Sequence, residues 1–228
     1  MVFDGGLPAA PTRDWFNPAW WAGKGAVNTV GGGRGGVAFL DTPVGPCVLR
    51  HYRRGGLVAP LLGDRYVWNG RVRSRGFAEF SLLAELRRRG LPVPVPIAAR
   101  YARRGVYYTA DLITRTIENA RTLAGIIAVR RFDSALAAQV GALVARFHAA
   151  GVDHADLNAH NILVADERLW LIDFDRGEIR GTGTAWKLAN LARLKRSLLK
   201  VGACDQDEAM LDREIWTPLM RGYERASK

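Results

Sequence analysis

Four side chains in the last third of the sequence have the types and spacing to handle a phosphoryl group. His154 and Asp156, followed by Asn161, form H-x-D-x-x-x-x-N in the stretch HADLNAHN, and Asp173 follows in WLIDFDRG. Moving a phosphoryl group from ATP to an alcohol requires a carboxylate to accept the hydroxyl proton. It also requires oxygen ligands for the Mg2+ that bridges the phosphates. Asp156 suits the first task; Asn161 and Asp173 suit the second. A different metal reading takes His154, Asp156 and His160 as ligands, but the spacing matches no familiar zinc pattern. Polar residues that merely close a loop would account for any one of these positions taken alone.

Nearer the N-terminus, Gly31, Gly33 and Gly36 satisfy G-x-G-x-x-G within GGGRGG. In a dinucleotide fold such a run opens a helix. Here VAFL alternates and runs into the turn residues DTPVGP, so the loop joins two strands. Glycines in that setting let backbone N–H groups come down onto a polyphosphate, although an isolated glycine cluster is more often a flexible turn. A P-loop is excluded, since no Gly-Lys-Ser/Thr closes the segment.

These groups need elements to hold them. VNTV, VAFL and CVLRHY are three short strands joined by the glycine loop and a hairpin turn. Between Ser74 and Arg89, Phe77, Phe80, Leu83 and Leu86 recur every three residues and Gly90 and Pro92 stop the run, which predicts a helix. IAARYARRGVYYTADLIT supplies two more strands around Arg104-Gly105, completing an antiparallel sheet of about five strands with one helix, over residues 27–114. Residues 1–26, rich in Gly, Pro and Trp, show no period and are expected to form an irregular, partly ordered lead-in whose tryptophans pack against the rest of the chain. Residues 115–228 are expected to be mainly helical: Glu118 to Arg130 moderately so, then Asp133 to Ala150 behind an Asp133 cap, then the tail from Trp186. NILVAD and RLWLIDFD, split by Asp166 and Glu167, read as a hairpin that holds the HADLNAHN loop. The fold class is α+β.

Glycine loop, basic residue on the next strand, glutamate on the following helix, H-x-D-x-x-x-x-N and an aspartate after an apolar strand stand in the order of the protein-kinase-like fold. In the stretches VLRHYRRGG, GLPVPVPIAARYARRGVYYTADLIT, HADLNAHNIL and WLIDFDRG the chain resembles the lipopolysaccharide kinase family, from Val27 to Arg180. The resemblance implies a two-lobe fold with a small sheet-bearing lobe and a mainly helical one. It implies Asp156 as catalytic base, Asn161 and Asp173 as Mg2+ ligands, and the Gly31, Gly33 and Gly36 loop over the phosphates of ATP. Arg50 in CVLR takes the strand position usually filled by lysine, with Glu79 as its partner and Glu85 as the alternative. Arginine keeps the charge but presents a planar fork instead of a point. The implied acceptor is a hydroxyl, the 4-hydroxyl, of 3-deoxy-D-manno-octulosonic acid (Kdo) carried by a lipid A precursor, reached by a peripheral protein at the cytoplasmic face of the bacterial inner membrane. Ala155 replaces the arginine that many protein kinases place after the motif histidine, and no A-P-E follows Asp173, so regulation by loop phosphorylation is not expected. Asn158 stands where lysine often faces the γ-phosphate, leaving Arg176 as a substitute cation or as a plain surface residue.

Composition narrows the partners. The excess of 33 Lys+Arg over 22 Asp+Glu, a net charge of +11, favours an anionic partner and disfavours a polycationic acceptor such as an aminoglycoside. A basic nucleic-acid-binding module would share the charge but would leave Asp156, Asn161 and Asp173 unexplained, so no nucleic acid is expected; a kinase of this fold acting on another small molecule or on protein is the nearer alternative. Cys47 and Cys204 cannot make a disulfide framework, and no run approaches the roughly 20 apolar residues of a membrane span. Arg53-Arg54, Arg71, Arg73, Arg75 and the helix TAWKLANLARLKRSLLK are the basic segments that could meet an anionic bilayer. In that helix the stripe Leu188, Leu191, Leu194 and Leu198 more commonly packs into a core.

Overall fold

The computed structural model describes residues 1–31, 36–53, 63–181 and 183–228. Gly33 and Arg54 therefore lie outside the described residues. The chain divides into two compact units, Met1–Glu85 with Pro94–Thr116, and Leu86–Val93 with Ile117–Lys228.

The first unit is built on an antiparallel sheet of seven strands in the order β1-β6-β7-β4-β3-β2, with β5 paired to the remaining length of β7. The strands are β1 (Val2–Phe3), β2 (Val27–Gly31), β3 (Gly36–Thr42), β4 (Gly45–His51), β5 (Tyr66–Val67), β6 (Pro96–Arg104) and β7 (Tyr107–Arg115). Two of them go beyond the expected five: β1 and β5 are two residues long, too short for alternation to register in the sequence. Strand periodicity sends Cys47 and Leu49 of β4 to one face and Val48 and Arg50 to the other. Cys47 and Leu49 enter a core shared with Ala38, Leu40, Ile97 and Ile113.

Trp15, Phe16 and Trp21 from the lead-in complete that core. The lead-in is thus a packed element and not an irregular one. It contains a short 3-10 turn at Arg13–Phe16 and the helix α1 (Pro18–Ala22), whose N-terminus is capped by the Asn17 side chain. The Trp21 indole N–H donates to the Trp15 carbonyl at 2.9 Å, and the two rings meet edge to face at 5.5 Å. Packing of the tryptophans is as expected, whereas elements of four or five residues cannot display a period, which is why the turn and helix that carry them do not show in the sequence. Against the sheet lies α2 (Arg75–Arg88), the expected helix. At Gly76 a Cβ would come within 2.8 Å of the Asp111 carbonyl oxygen, so only glycine permits this approach of helix to strand.

In the second unit α3 (Leu123–Ala128), α4 (Ser134–Ala149), α5 (Ala185–Lys200), α6 (Glu208–Leu211) and α7 (Thr217–Ala226) carry most of the chain. Asp133 caps α4 as its spacing suggests, accepting from the Leu136 N–H at 2.8 Å. The stretch from Glu118 is less helical than expected: β8 (Arg121–Thr122) precedes α3 and pairs with β10 (Ile162–Ala165). β10 and β11 (Arg168–Leu171) form the expected hairpin, turning through Asp166 and Glu167, both with positive φ. α4 and α7 meet through main chain: a Cβ on Gly141 would lie 1.9 Å from the Leu219 carbonyl oxygen, and one on Gly222 would lie 2.0 Å from that of Ala138. On α5, Leu191, Leu194 and Leu198 are buried while Leu188 stays exposed, so the leucine stripe is core and not a bilayer seam.

Candidate active site

In the first unit, the outward face of β4 places Arg50 and Tyr52 over α2. Arg50 forms an ion pair with Glu79, and the Tyr52 hydroxyl donates to the same carboxylate at 2.6 Å. The Arg50 guanidinium also lies over the Tyr52 ring, 4.6 Å from its centroid. Glu79 is only 4% exposed, so its charge is held by two dedicated donors. Burial, reinforced by the neighbouring Glu79, pushes the Tyr52 phenol well above its usual range and keeps it a donor. Of the two glutamates considered for Arg50, Glu79 is the one in contact. Gly31 ends β2 and Gly36 opens β3, with Gly31 paired to Val37 and Gly36 to His51.

A second charged cluster lies beside Arg50 and was not anticipated. His51 Nδ1 is 2.6 Å from Asp111 and Nε2 is 2.9 Å from Asp64, while Asp111 also pairs with Arg100 at 2.8 Å. With both ring nitrogens facing carboxylates, both must donate. The hydrogen bond to Asp111 accordingly raises the His51 pKa, outweighing its burial. Asp111 is the lone acid in the otherwise apolar run TADLIT, which is the sequence signal that could have flagged it.

In the second unit the HADLNAHN loop follows the short strand β9 (Val152–Asp153). His154 is buried, and its ring has no capacity left for a metal: Nδ1 accepts from the Asp156 N–H at 3.3 Å and Nε2 donates to the Ile172 carbonyl at 2.9 Å. Burial lowers its pKa and favours this neutral tautomer. The zinc-like set of His154, Asp156 and His160 is thereby ruled out. Asn158 bends the loop: its Oδ1 accepts from the N–H groups of His160 and Asn161 at 2.8 and 3.2 Å, and its amide donates to the Asp156 carbonyl at 2.9 Å.

Asn161 donates through Nδ2 to the same Asp156 carbonyl at 2.9 Å, which directs its Oδ1 elsewhere as a free-standing oxygen donor type. The Ile172 N–H bonds to the Asn161 carbonyl at 3.0 Å, bringing Asp173 alongside Asn161. Asp173 sits in the left-handed region with φ of 63°. Its Oδ1 accepts from the Asp175 N–H at 3.4 Å. Asp156 itself is exposed, and Arg176 is an exposed turn residue. One amide oxygen and one carboxylate are hard donors suited to Mg2+, which draws its remaining ligands from water and substrate phosphate. Among the described residues no cluster of three or more His, Cys, Asp and Glu is placed to hold a metal unaided.

Behind the loop stands a support absent from the sequence reading. Asn190 on α5 accepts from the His154 N–H at 3.1 Å and donates to Asp153 at 2.8 Å; Asp153 is further paired with Arg180 at 3.0 Å. Ser197, two turns along the same helix, accepts from the Ala159 N–H at 3.0 Å. An asparagine buried beside Leu191 and Leu194 was the available clue. The structure therefore brings Arg50 to Glu79 in one unit, and in the other ties Asn161 to the Asp156 main chain and to Ile172, the neighbour of Asp173.

Comparison with known proteins agrees with this chemistry. The model of the lipopolysaccharide kinase (Kdo/WaaP) family matches residues 18–223. A 3-deoxy-D-manno-octulosonic acid kinase of Stenotrophomonas maltophilia (strain R551-3) is 48% identical, covering 99% of this chain and 90% of its own length. Its namesake in Xanthomonas euvesicatoria pv. vesicatoria is 49% identical, with 91% and 86% covered. Among solved structures, WaaP in complex with acyl carrier protein aligns with a TM-score of 0.57 at 21% identity, covering 98% of this chain and 88% of that one, a likeness of fold.

Proposed function

The chain belongs to the lipopolysaccharide kinase (Kdo/WaaP) family, and on that premise we propose that it transfers the γ-phosphoryl group of ATP to the 4-hydroxyl of Kdo on a lipid A precursor. Membership makes it a phosphotransferase with an alcohol acceptor that uses ATP. The acceptor follows from relatives nearly half identical over nearly the whole chain, and the basic composition suits an anionic glycolipid. Because that acceptor is lipid-borne, the protein works as a peripheral enzyme at the cytoplasmic face of the inner membrane.

In this reading Asp156 accepts the proton as the acceptor oxygen bonds to the γ-phosphorus and the bond to the bridging oxygen of ADP breaks. Asn161 and Asp173 hold Mg2+, which would neutralise charge on the phosphates. Arg50, kept in place by Glu79 and Tyr52, would face the α and β phosphates. The observation that carries this assignment is the continuous ladder from His154 through Ile172 to Asn161 and back to Asp156, which fixes an acid, an amide and a second acid on one scaffold.

The test pairs labelled ATP and Mg2+ with a Kdo-bearing lipid acceptor, an aminoglycoside and a generic protein. Label should enter the Kdo acceptor alone. Asp156→Ala should lower turnover by roughly 100- to 10,000-fold, the usual worth of a general base, while nucleotide affinity holds. Undiminished turnover in that variant would sink the assignment.

A further inference from the structure

One corner of the first unit gathers exposed apolar side chains among arginines. Residues 65–76, RYVWNGRVRSRG, and residues 101–109, YARRGVYYT, contain six arginines and no Asp or Glu. The sheet joins them: β5 pairs with β7 through Tyr66–Tyr108 and Val67–Tyr107, and the Trp68 N–H donates to the Val106 carbonyl at 2.9 Å. The Arg75 N–H then reaches the Tyr108 hydroxyl at 3.2 Å, tying in the turn that precedes α2. Trp68 packs on Tyr101 at 4.8 Å and Phe77 on the other side of Tyr101 at 5.2 Å, so the corner has a rigid aromatic floor.

Beside that floor stand Val72 and Val106, which are 78% and 64% exposed, while Val67, on the same strand as Trp68, points to the opposite face of the sheet. Only Leu188, at 63%, matches them among the described large hydrophobics. Arg71, Arg73 and Arg103 are exposed around them, and among the described residues none of the three pairs with a carboxylate. Arg71 leans over Phe77 and Arg103 over Trp68, so their stems lie along the apolar floor.

We propose that this corner is the surface through which the protein rests on an anionic phospholipid bilayer. Arginines meet the phosphodiesters while the valines enter the headgroup boundary, and a negatively charged leaflet supplies both. A nucleic acid would match the charge, but the rings that could stack on bases are occupied with one another and with arginine, whereas the exposed groups are aliphatic. The assignment rests on the lipid-borne acceptor proposed above and names the face that reaches it.

Co-sedimentation of the full chain with phosphatidylethanolamine vesicles, with and without phosphatidylglycerol, tests it. Binding should require phosphatidylglycerol and weaken as salt rises. Arg71→Gln with Arg73→Gln should weaken vesicle binding by at least tenfold, and Val72→Ser with Val106→Ser by several-fold. Phosphorylation of a deacylated, water-soluble Kdo acceptor should be unchanged in both variants. That soluble assay keeps this idea separate from the catalytic assignment: wild type inactive on it would count against the function, not the surface. Wild-type vesicle affinity in both variants would overturn the surface, and so would loss of vesicle binding on Leu188→Asp alone. Tighter binding to RNA than to vesicles, abolished by the same arginine changes, would overturn it in favour of the other polyanion.

Discussion

The two candidate clusters, one in each unit, are held by different physics. Around Arg50 the first unit uses charge: a buried carboxylate between a guanidinium and a phenol, beside an imidazolium between two acids. Around Asp156 the second unit uses neutral groups, namely a buried imidazole, two asparagine amides, a serine hydroxyl and main chain. An electrostatic scaffold tolerates small displacements but depends on every partner keeping its charge. A hydrogen-bonded scaffold is indifferent to salt yet strict in geometry, which suits a loop whose proposed task is to present its side chains in fixed relation.

Removing the charge at the first pole should have the larger effect. Glu79→Gln leaves Arg50 and Tyr52 facing an amide; losing one member of a buried pair typically costs about 3 to 5 kcal/mol, so thermal unfolding should come several degrees lower. The KM for ATP should rise with it. An unchanged melting temperature would mean that the ion pair is not what seats Arg50.

At the second pole, Asn190→Ala strands the His154 N–H and one Asp153 oxygen, a loss of about 1 to 3 kcal/mol. Turnover should fall with little change in the KM for ATP, because the loop and not the nucleotide seat is disturbed. Steady-state kinetics showing the reverse split would erase the distinction between the two scaffolds.

The mildest probe is pH, where the two units should respond with opposite sign. His51 has a raised pKa, so its stabilisation is complete below the unfolded value near 6.5 and disappears as pH rises through the higher folded value. His148, buried against Tyr223 in the second unit, is lowered to about 4, chiefly by burial. The unfolded chain binds that proton first, so stability falls by about 1 kcal/mol per pH unit as pH drops from 6.5 towards 4. Unfolding midpoints measured from pH 4 to well above 6.5 should show His51→Gln losing a slope above 6.5 and His148→Gln losing one of opposite sign below it; matching slopes would contradict the assignment of one charged and one neutral histidine.

Much of the frame around the candidate site was legible in the sequence because it is local. Asp156 and Asn161 lie within one loop, Asp173 directly follows the hairpin, and α2, α4 and their stop or cap signals declare themselves through period and end residues. What stayed hidden acts between distant segments or within very short ones. Asn190 and Ser197 appear merely as polar breaks in a leucine-patterned helix until the fold lays them against the loop. His51 and Asp111 come together only through strand pairing. The lead-in shows the other limit, where tryptophans fill a core from elements too brief to have a period.

The crossing of α4 and α7 carries a genetic corollary. Ordinarily a damaging enlargement on one helix can be relieved by trimming the residue opposite. Here Gly141 rests on the Leu219 carbonyl and Gly222 on that of Ala138, so the opposing atoms belong to the backbone and cannot be trimmed. Revertants of a Gly141→Ala defect should therefore be same-site restorations or globally stabilising changes elsewhere, and a search for a compensating neighbour on the facing helix should come back empty.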